Sequence, residues 1–175
     1  RADRLILPGV GSFGNGMSML KKLDLIHSLN TFIKKGNPLL GICLGMQMLL
    51  EDSEEELTKK GLSYIDGKVT KIPTSSKNEI LRKIPQIGWN NLELHFSSIS
   101  DNKIFSNIDE RDFFYFIHSY MSKPRDPKKI IATYDCNNFK VTAAIRKANV
   151  IGLQFHPEIS GKSGLKVINN FLNFY

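Results

Sequence analysis

Two short constellations in this chain could carry nucleophilic chemistry. The first is Gly41-Ile42-Cys43-Leu44-Gly45, which follows the apolar residues Leu39 and Leu40 and opens a segment where Met46, Leu49 and Leu50 keep helical spacing. A strand that turns sharply into a helix holds the middle side chain of such a pentapeptide in a strained conformation. Glycines two residues to either side let the backbone pack that closely. The Cys43 thiol then sits at a helix N-terminus, whose positive end favours thiolate over thiol. A lone cysteine in apolar surroundings is usually a small buried hydrophobe, but the paired glycines and the strand-to-helix switch favour a nucleophile.

The second constellation is Gln154-Phe155-His156-Pro157-Glu158, which follows the apolar run that starts at Val150. A nucleophilic cysteine needs a base, and the base needs a group to orient it. Two residues apart in extended chain, His156 and Glu158 point to the same side, so the carboxylate can hold the imidazole in one tautomer. Alone, the tripeptide would read as a surface turn. A third segment, Pro8-Gly9-Val10-Gly11-Ser12-Phe13-Gly14, suits backbone N–H groups aimed at an oxyanion or a plain flexible turn. As a phosphate loop it is weak, because it lacks both the Gly-Lys-Ser/Thr ending and the Gly-x-Gly-x-x-Gly spacing.

These segments lie far apart in sequence, so a fold must bring them together. The pattern predicts a strand over Leu5 to Leu7, helices between about Met17 and Lys35, a buried strand over Leu39 to Ile42 and a helix from Leu44 to about Asp52. Apolar helix positions are Met17, Leu20, Leu25, Leu29, Phe32 and Ile33. Asn37-Pro38 ends the helical stretch, since proline biases the residue before it away from helix. This order implies a parallel sheet covered on both faces, with its sites at the carboxyl ends of the strands. Later strand candidates crowd together: Lys68 to Ile72, Gln86 to Leu94, Asp112 to His118, Ile130 to Tyr134, Val141 to Arg146 and Val150 to Phe155. Brief polar turns such as Asn137-Asn138 predict antiparallel pairing there. A closing helix over Gly164 to Phe174 would bury Leu165, Ile168, Phe171 and Leu172, and the acidic run Glu51 to Glu56 reads as a solvated loop.

At 175 residues, with 41% hydrophobic and 23% charged residues, the chain has the size and balance of one globular domain with a single sizeable core. No apolar run approaches the length of a membrane span, and none reads as a secretory signal. Two cysteines argue for a reducing cytoplasm rather than a disulfide framework. The net charge of +7 comes from dispersed lysines, such as Lys34, Lys35, Lys59, Lys60, Lys128 and Lys129, without aromatic interleaving, which argues against nucleic acid. The chain opens on Arg1 and runs almost at once into a strand, as though it began within a β/α repeat. A leading unit of about 30 to 40 residues, a strand plus crossover helix, is therefore expected upstream.

Gly41-Ile42-Cys43-Leu44-Gly45 with Gln47, together with His156-Pro157-Glu158, resembles the class I glutamine amidotransferases, whose Cys-His-Glu triad hydrolyses glutamine to glutamate and ammonia. Within that class the Pro8 to Gly14 loop, Met46, Gly88-Trp89-Asn90 and Gln154 to Ser160 look like the glutaminase subunits of imidazole glycerol phosphate synthase. Sister enzymes usually carry His where Met46 stands. The resemblance spans nearly the whole chain and implies a single amidotransferase domain over residues 1–175, lacking the family's first strand and helix. Its fold would be a flavodoxin-like three-layer α/β sandwich, mostly parallel in its central sheet, with added antiparallel strands.

The resemblance further implies Cys43 as nucleophile, His156 as general base and acid, and Glu158 as its partner. Val10, Gly11 and Leu44 would form the oxyanion hole, after a peptide reorientation in the loop. Gly11, Gln47, His118, Ser119 and Tyr120 would hold the amino-acid end of glutamine, and Trp89 and Asn90 would face a partner. Gln86 stands where many relatives carry His. The chemistry needs no metal or organic cofactor. Ammonia must reach its acceptor unprotonated, and in the family the partner is a (β/α)8-barrel cyclase forming a heterodimer that makes imidazole glycerol phosphate for histidine biosynthesis. Two other readings are a paralogue feeding ammonia to surface-sugar biosynthesis and a non-catalytic partner-binding subunit.

Overall fold

The computed structural model describes residues 2–56, 60–75, 82–96 and 103–174. From the N-terminus, β1 (Leu5–Leu7) leads to helices α1 (Phe13–Lys22) and α2 (Leu25–Lys34), strand β2 (Leu39–Ile42) and the five-residue helix α3 (Leu44–Met48). Then come β3 (Asp52–Ser53), β4 (Gly67–Lys71), β5 (Gln86–Asn90), β6 (Glu93–Leu94), β7 (Phe114–His118) and β8 (Tyr120–Pro124). The chain finishes with β9 (Ile130–Asp135), β10 (Lys140–Lys147), β11 (Val150–Leu153), a 3-10 turn over Pro157–Ile159 and helix α4 (Gly161–Phe174).

The main sheet runs β1-β2-β11-β10-β9-β6. It is mixed: β1, β2 and β11 are parallel, while β10, β9 and β6 add on antiparallel. Strand β2 is buried along its whole length. Alternation sends Leu39 into one core with Phe13, Met17 and Leu20 of α1, and Leu40 and Ile42 into another with Val167 and Phe171 of α4. Helices therefore cover both faces, as a three-layer arrangement requires. Register aligns Leu7 with Gly41 and Leu153 with Ile42, so the segments after β1, β2 and β11 all leave the same sheet edge.

Several boundaries differ from expectation for identifiable reasons. Helix α1 starts at Phe13 rather than near Met17, because the Ser12 hydroxyl caps it by accepting from the Asn15 N–H. Helix α3 stops at Met48, short of Asp52, since the carbonyls of Met48, Leu49 and Leu50 accept from the N–H groups of Leu62, Tyr64 and Ser63 instead of a further helical turn. The acidic run is not merely solvated: Asp52 and Ser53 pair with β4, and Glu55 and Glu56 accept from the Phe13 and Gly14 N–H groups at the start of α1.

Gln86 to Leu94 splits into β5, which pairs with β7, and β6, which joins the main sheet. In α4 the buried stripe is Gly164, Val167, Asn170 and Phe171, whereas Leu165 and Leu172 stay exposed. Asn170 earns its place by donating to the Ile104 and Ser106 carbonyls. In β7, Phe114 and Phe116 are core residues while Phe113, just before it, is half exposed.

Candidate active site

Cys43 sits where β2 turns into α3, at φ 53° and ψ −110°, the strained elbow conformation that the flanking glycines imply. Its N–H donates to the Leu153 carbonyl at 2.7 Å, locking the turn onto β11. Burial pushes the thiol up to about 11, the Leu44 N–H and the Gln154 side chain pull it back, and the Glu158 charge raises it further. The expected preference for thiolate is thus overruled in this conformation: a five-residue helix offers little dipole against the cost of burying a charge.

His156 follows β11 with its N–H on the Tyr115 carbonyl at 2.9 Å. Its Nδ1 lies 2.7 Å from Glu158 Oε1, and its Nε2 is buried without a hydrogen-bond partner. The carboxylate assigns the proton to Nδ1 and leaves Nε2 as a base. Ser160 clamps this turn, donating to the His156 carbonyl at 2.6 Å and accepting from the Tyr115 N–H at 2.9 Å.

Cys43 and His156 line one cavity of about 330 Å³ with Val10, Gly11, Leu44, Gln47, His118, Ser119 and Tyr120, all expected from sequence, and with Glu55, Pro85 and Ile117, which were not. Glu158 reaches it only through His156, and Trp89 and Asn90 do not line it. The Leu44 N–H, which faces the Cys43 sulfur, also donates to the Gly9 carbonyl at 3.3 Å, so this oxyanion donor is engaged in this conformation. Both ring nitrogens of His118 are also taken, by the Tyr120 carbonyl at 2.7 Å and the Tyr134 hydroxyl at 2.9 Å. Burial, chiefly, lowers His118 to about 4, so it stays neutral and has no free donor for a ligand.

The family model for class-I glutamine amidotransferases matches residues 2–174. The chain belongs to the class-I glutamine amidotransferase family. It is 44% identical over 173 residues to imidazole glycerol phosphate synthase subunit HisH 1 of Legionella pneumophila, covering 98% of this chain and 81% of that protein. It is 45% identical to imidazole glycerol phosphate synthase subunit HisH 2 of Methanococcus maripaludis over 173 residues, with the same two coverages of 98% and 81%. Among solved structures, PurLQS from Thermotoga maritima superposes with a TM-score of 0.69 at 20% identity, covering 98% of this chain and 79% of that one, a likeness of fold.

Around the site of this amidotransferase, Glu55, Ser160, Tyr134 and the side chain of Gln154 are placed by the fold without a distinct signal in the sequence. Glu55 lies inside a charged run whose pattern is that of a solvated loop, and Ser160 and Gln154 flank His156 and Glu158, the residues of that motif whose types signal chemistry. Gln86 accepts from the Cys136 thiol at 3.2 Å. Among the described residues no helix is long and apolar enough to cross a membrane.

Outside the cavity, Ile87 and Trp89 of β5 lie in register with Ile117 and Tyr115 of β7. Ile87, Trp89 and Ile117 are each about half exposed, and Trp89 packs edge-on to Tyr115 at 5.6 Å. Ile117 also lines the cavity, so this apolar face runs directly into its mouth.

Proposed function

We propose that this chain hydrolyses glutamine to glutamate and ammonia at Cys43 and delivers the ammonia to a (β/α)8-barrel cyclase for imidazole glycerol phosphate synthesis in histidine biosynthesis. The observation that carries the chemistry is the shared cavity in which an elbow thiol meets a histidine whose Nε2 is unpartnered and whose Nδ1 is held by Glu158. Relatives at 44–45% identity support the choice of pathway over a surface-sugar role.

The Cys43 thiol gives its proton to His156 Nε2 and the sulfur attacks the side-chain amide carbon of glutamine. The imidazolium, stabilised by Glu158, returns that proton to the departing nitrogen, so ammonia leaves and a thioester remains. His156 then takes a proton from water as it attacks the thioester, releasing glutamate and restoring the thiol. The carbonyl oxygen needs donors at each tetrahedral stage, and here the Leu44 N–H is latched to Gly9. Rotating the Gly9–Val10 peptide by half a turn would withdraw that carbonyl and present the Val10 N–H in its place. Gly9, whose own ψ changes in that turn, carries no side chain to oppose it.

Glutamine also brings an ammonium group, and Glu55 is the cavity carboxylate not already engaged with a histidine. Glu55→Gln keeps an oxygen for the Phe13 N–H it caps at 2.8 Å. It is expected to raise KM for glutamine about tenfold with a much smaller change in kcat, because a hydrogen bond to a charged group contributes about 1.5–3 kcal/mol. Steady-state kinetics with the cyclase present check this, and an unchanged KM removes Glu55 from substrate binding.

The half-exposed Ile87, Trp89 and Ile117 suit a partner that covers the cavity mouth. Titrating the full-length protein with a substrate-loaded cyclase tests the whole reading. Glutamine hydrolysis is expected to rise by at least about 100-fold, the worth of one oxyanion donor, and Trp89→Ala to weaken the titration. Equal hydrolysis with and without cyclase would sink the latch, and no association would sink the partner.

A further inference from the structure

Behind Cys43 runs a buried chain of side chains that the hydrolysis scheme leaves unused. It starts at the Tyr120 carbonyl, a backbone oxygen that can only accept. Gln47 Nε2 lies 3.2 Å from it and His118 Nδ1 lies 2.7 Å from it, so both atoms must carry N–H groups. The second hydrogen of Gln47 Nε2 goes to Gln154 Oε1 at 3.2 Å. Gln154 therefore turns its oxygen to Gln47 and its nitrogen to Cys43, where Nε2 donates to Sγ at 3.7 Å. On the other branch, His118 Nε2 must accept from the Tyr134 hydroxyl at 2.9 Å. Gln154 and Tyr134 are fully buried, and Gln47 and His118 are nearly so. Each orientation is imposed by the one before it.

We propose that Gln154 is a positioning residue for Cys43, whose side-chain N–H, oriented by Gln47 and the Tyr120 carbonyl, holds the sulfur and favours its thiolate. This rests on Cys43 being the nucleophile. A donor gains strength when its acceptor becomes an anion, and burial makes the gain larger than it would be in water. The titratable groups around the sulfur are His156 and Glu158 beyond β11, His118 and Tyr120 from β7 and β8, and Glu55 across the cavity. An amide does not titrate, so its help is constant across pH. The β11 backbone fixes its position, since the Gln154 N–H donates to the Ala143 carbonyl at 2.8 Å.

The test is the pH dependence of Cys43 alkylation by iodoacetamide in the full-length protein, read by peptide mass spectrometry so that Cys136 is followed separately. Gln154→Leu is expected to move the midpoint upward by about one pH unit and to lower kcat about tenfold at neutral pH, leaving KM for glutamine unchanged. Gln154→Glu, near-identical in shape, is expected to move it upward further, because a carboxylate repels the thiolate. A midpoint equal to that of the unmodified protein in a folded variant overturns the proposal; if Gln154→Leu fails to fold, Gln154→Glu decides. Glutamine hydrolysis retained in Cys43→Ala would instead overturn the nucleophile assignment, a different failure from an unmoved midpoint.

Discussion

Cys43→Ala is expected to lower glutamine hydrolysis by at least about 10⁴-fold, the scale on which removal of a nucleophile acts when the rest of a site is intact. The substitution keeps the Cβ, so the elbow at φ 53° is no more strained than before. It removes one largely buried sulfur and leaves β2, α3 and the exposed Ile87 and Trp89 face untouched. Cyclase binding should therefore survive, and so should synthesis driven by added ammonium salt, since only the supply of ammonia is lost. Glutamate release and cyclase titration on the same preparation check both halves. Hydrolysis surviving in the variant would hand the reaction to another cavity group, such as the Ser119 hydroxyl. Loss of cyclase binding along with hydrolysis would mean that the alanine had disturbed the fold.

Gly45→Ala is expected to damage the site by a different route. A Cβ at position 45 would lie 1.8 Å from the Leu7 carbonyl oxygen and 2.9 Å from its carbon. Both belong to the backbone at the end of β1, so no rotamer change relieves the clash. Gly41 is similarly closed in, with the Gly45 carbonyl at 2.8 Å from its would-be Cβ. Alanine at 45 must push the end of β1 away from α3, carrying with it the Gly9 loop that the Leu44 N–H holds. Such overpacking typically costs about 1–3 kcal/mol, and more where backbone must move. A urea melt should show a lower midpoint, and hydrolysis in the cyclase complex should fall with it. A normal midpoint with normal activity would mean that the elbow is looser than these contacts require.

The elbow and the His-Pro-Glu turn were legible because their residue types have few other uses at that spacing. Paired glycines around Cys43 announce a close approach, and the observed contact with Leu7 is its cause. The strand Leu39–Ile42 was legible because burial on both faces demands an unbroken apolar run. What escaped depended on distant partners. Helix α3 ends early because residues far along the chain satisfy its carbonyls, and nothing between Leu49 and Asp52 announces this. Glu55 looked like one acid among several until Phe13 placed its backbone N–H against it. In α4 the hydrophobic spacing favoured Leu165 and Leu172, whereas Asn170 is buried because two carbonyls near Ile104 need a donor. Gln154 lies inside the Gln154 to Glu158 motif, but which of its amide atoms faces Cys43 is decided by the Tyr120 carbonyl, whose position only the fold supplies.

The latch on the Leu44 N–H is made from the carbonyl of Gly9, an atom every amino acid possesses. A lineage can lose the thiol through one codon, but no codon change deletes a main-chain oxygen. Heritable escape from restraint would need a loop that prefers the rotated peptide by itself, which must also keep Gly9 within reach of Leu44 and Gly45. On the reading proposed above, the restraint is therefore harder to mutate away than the activity, because it is made of main chain rather than of a side chain.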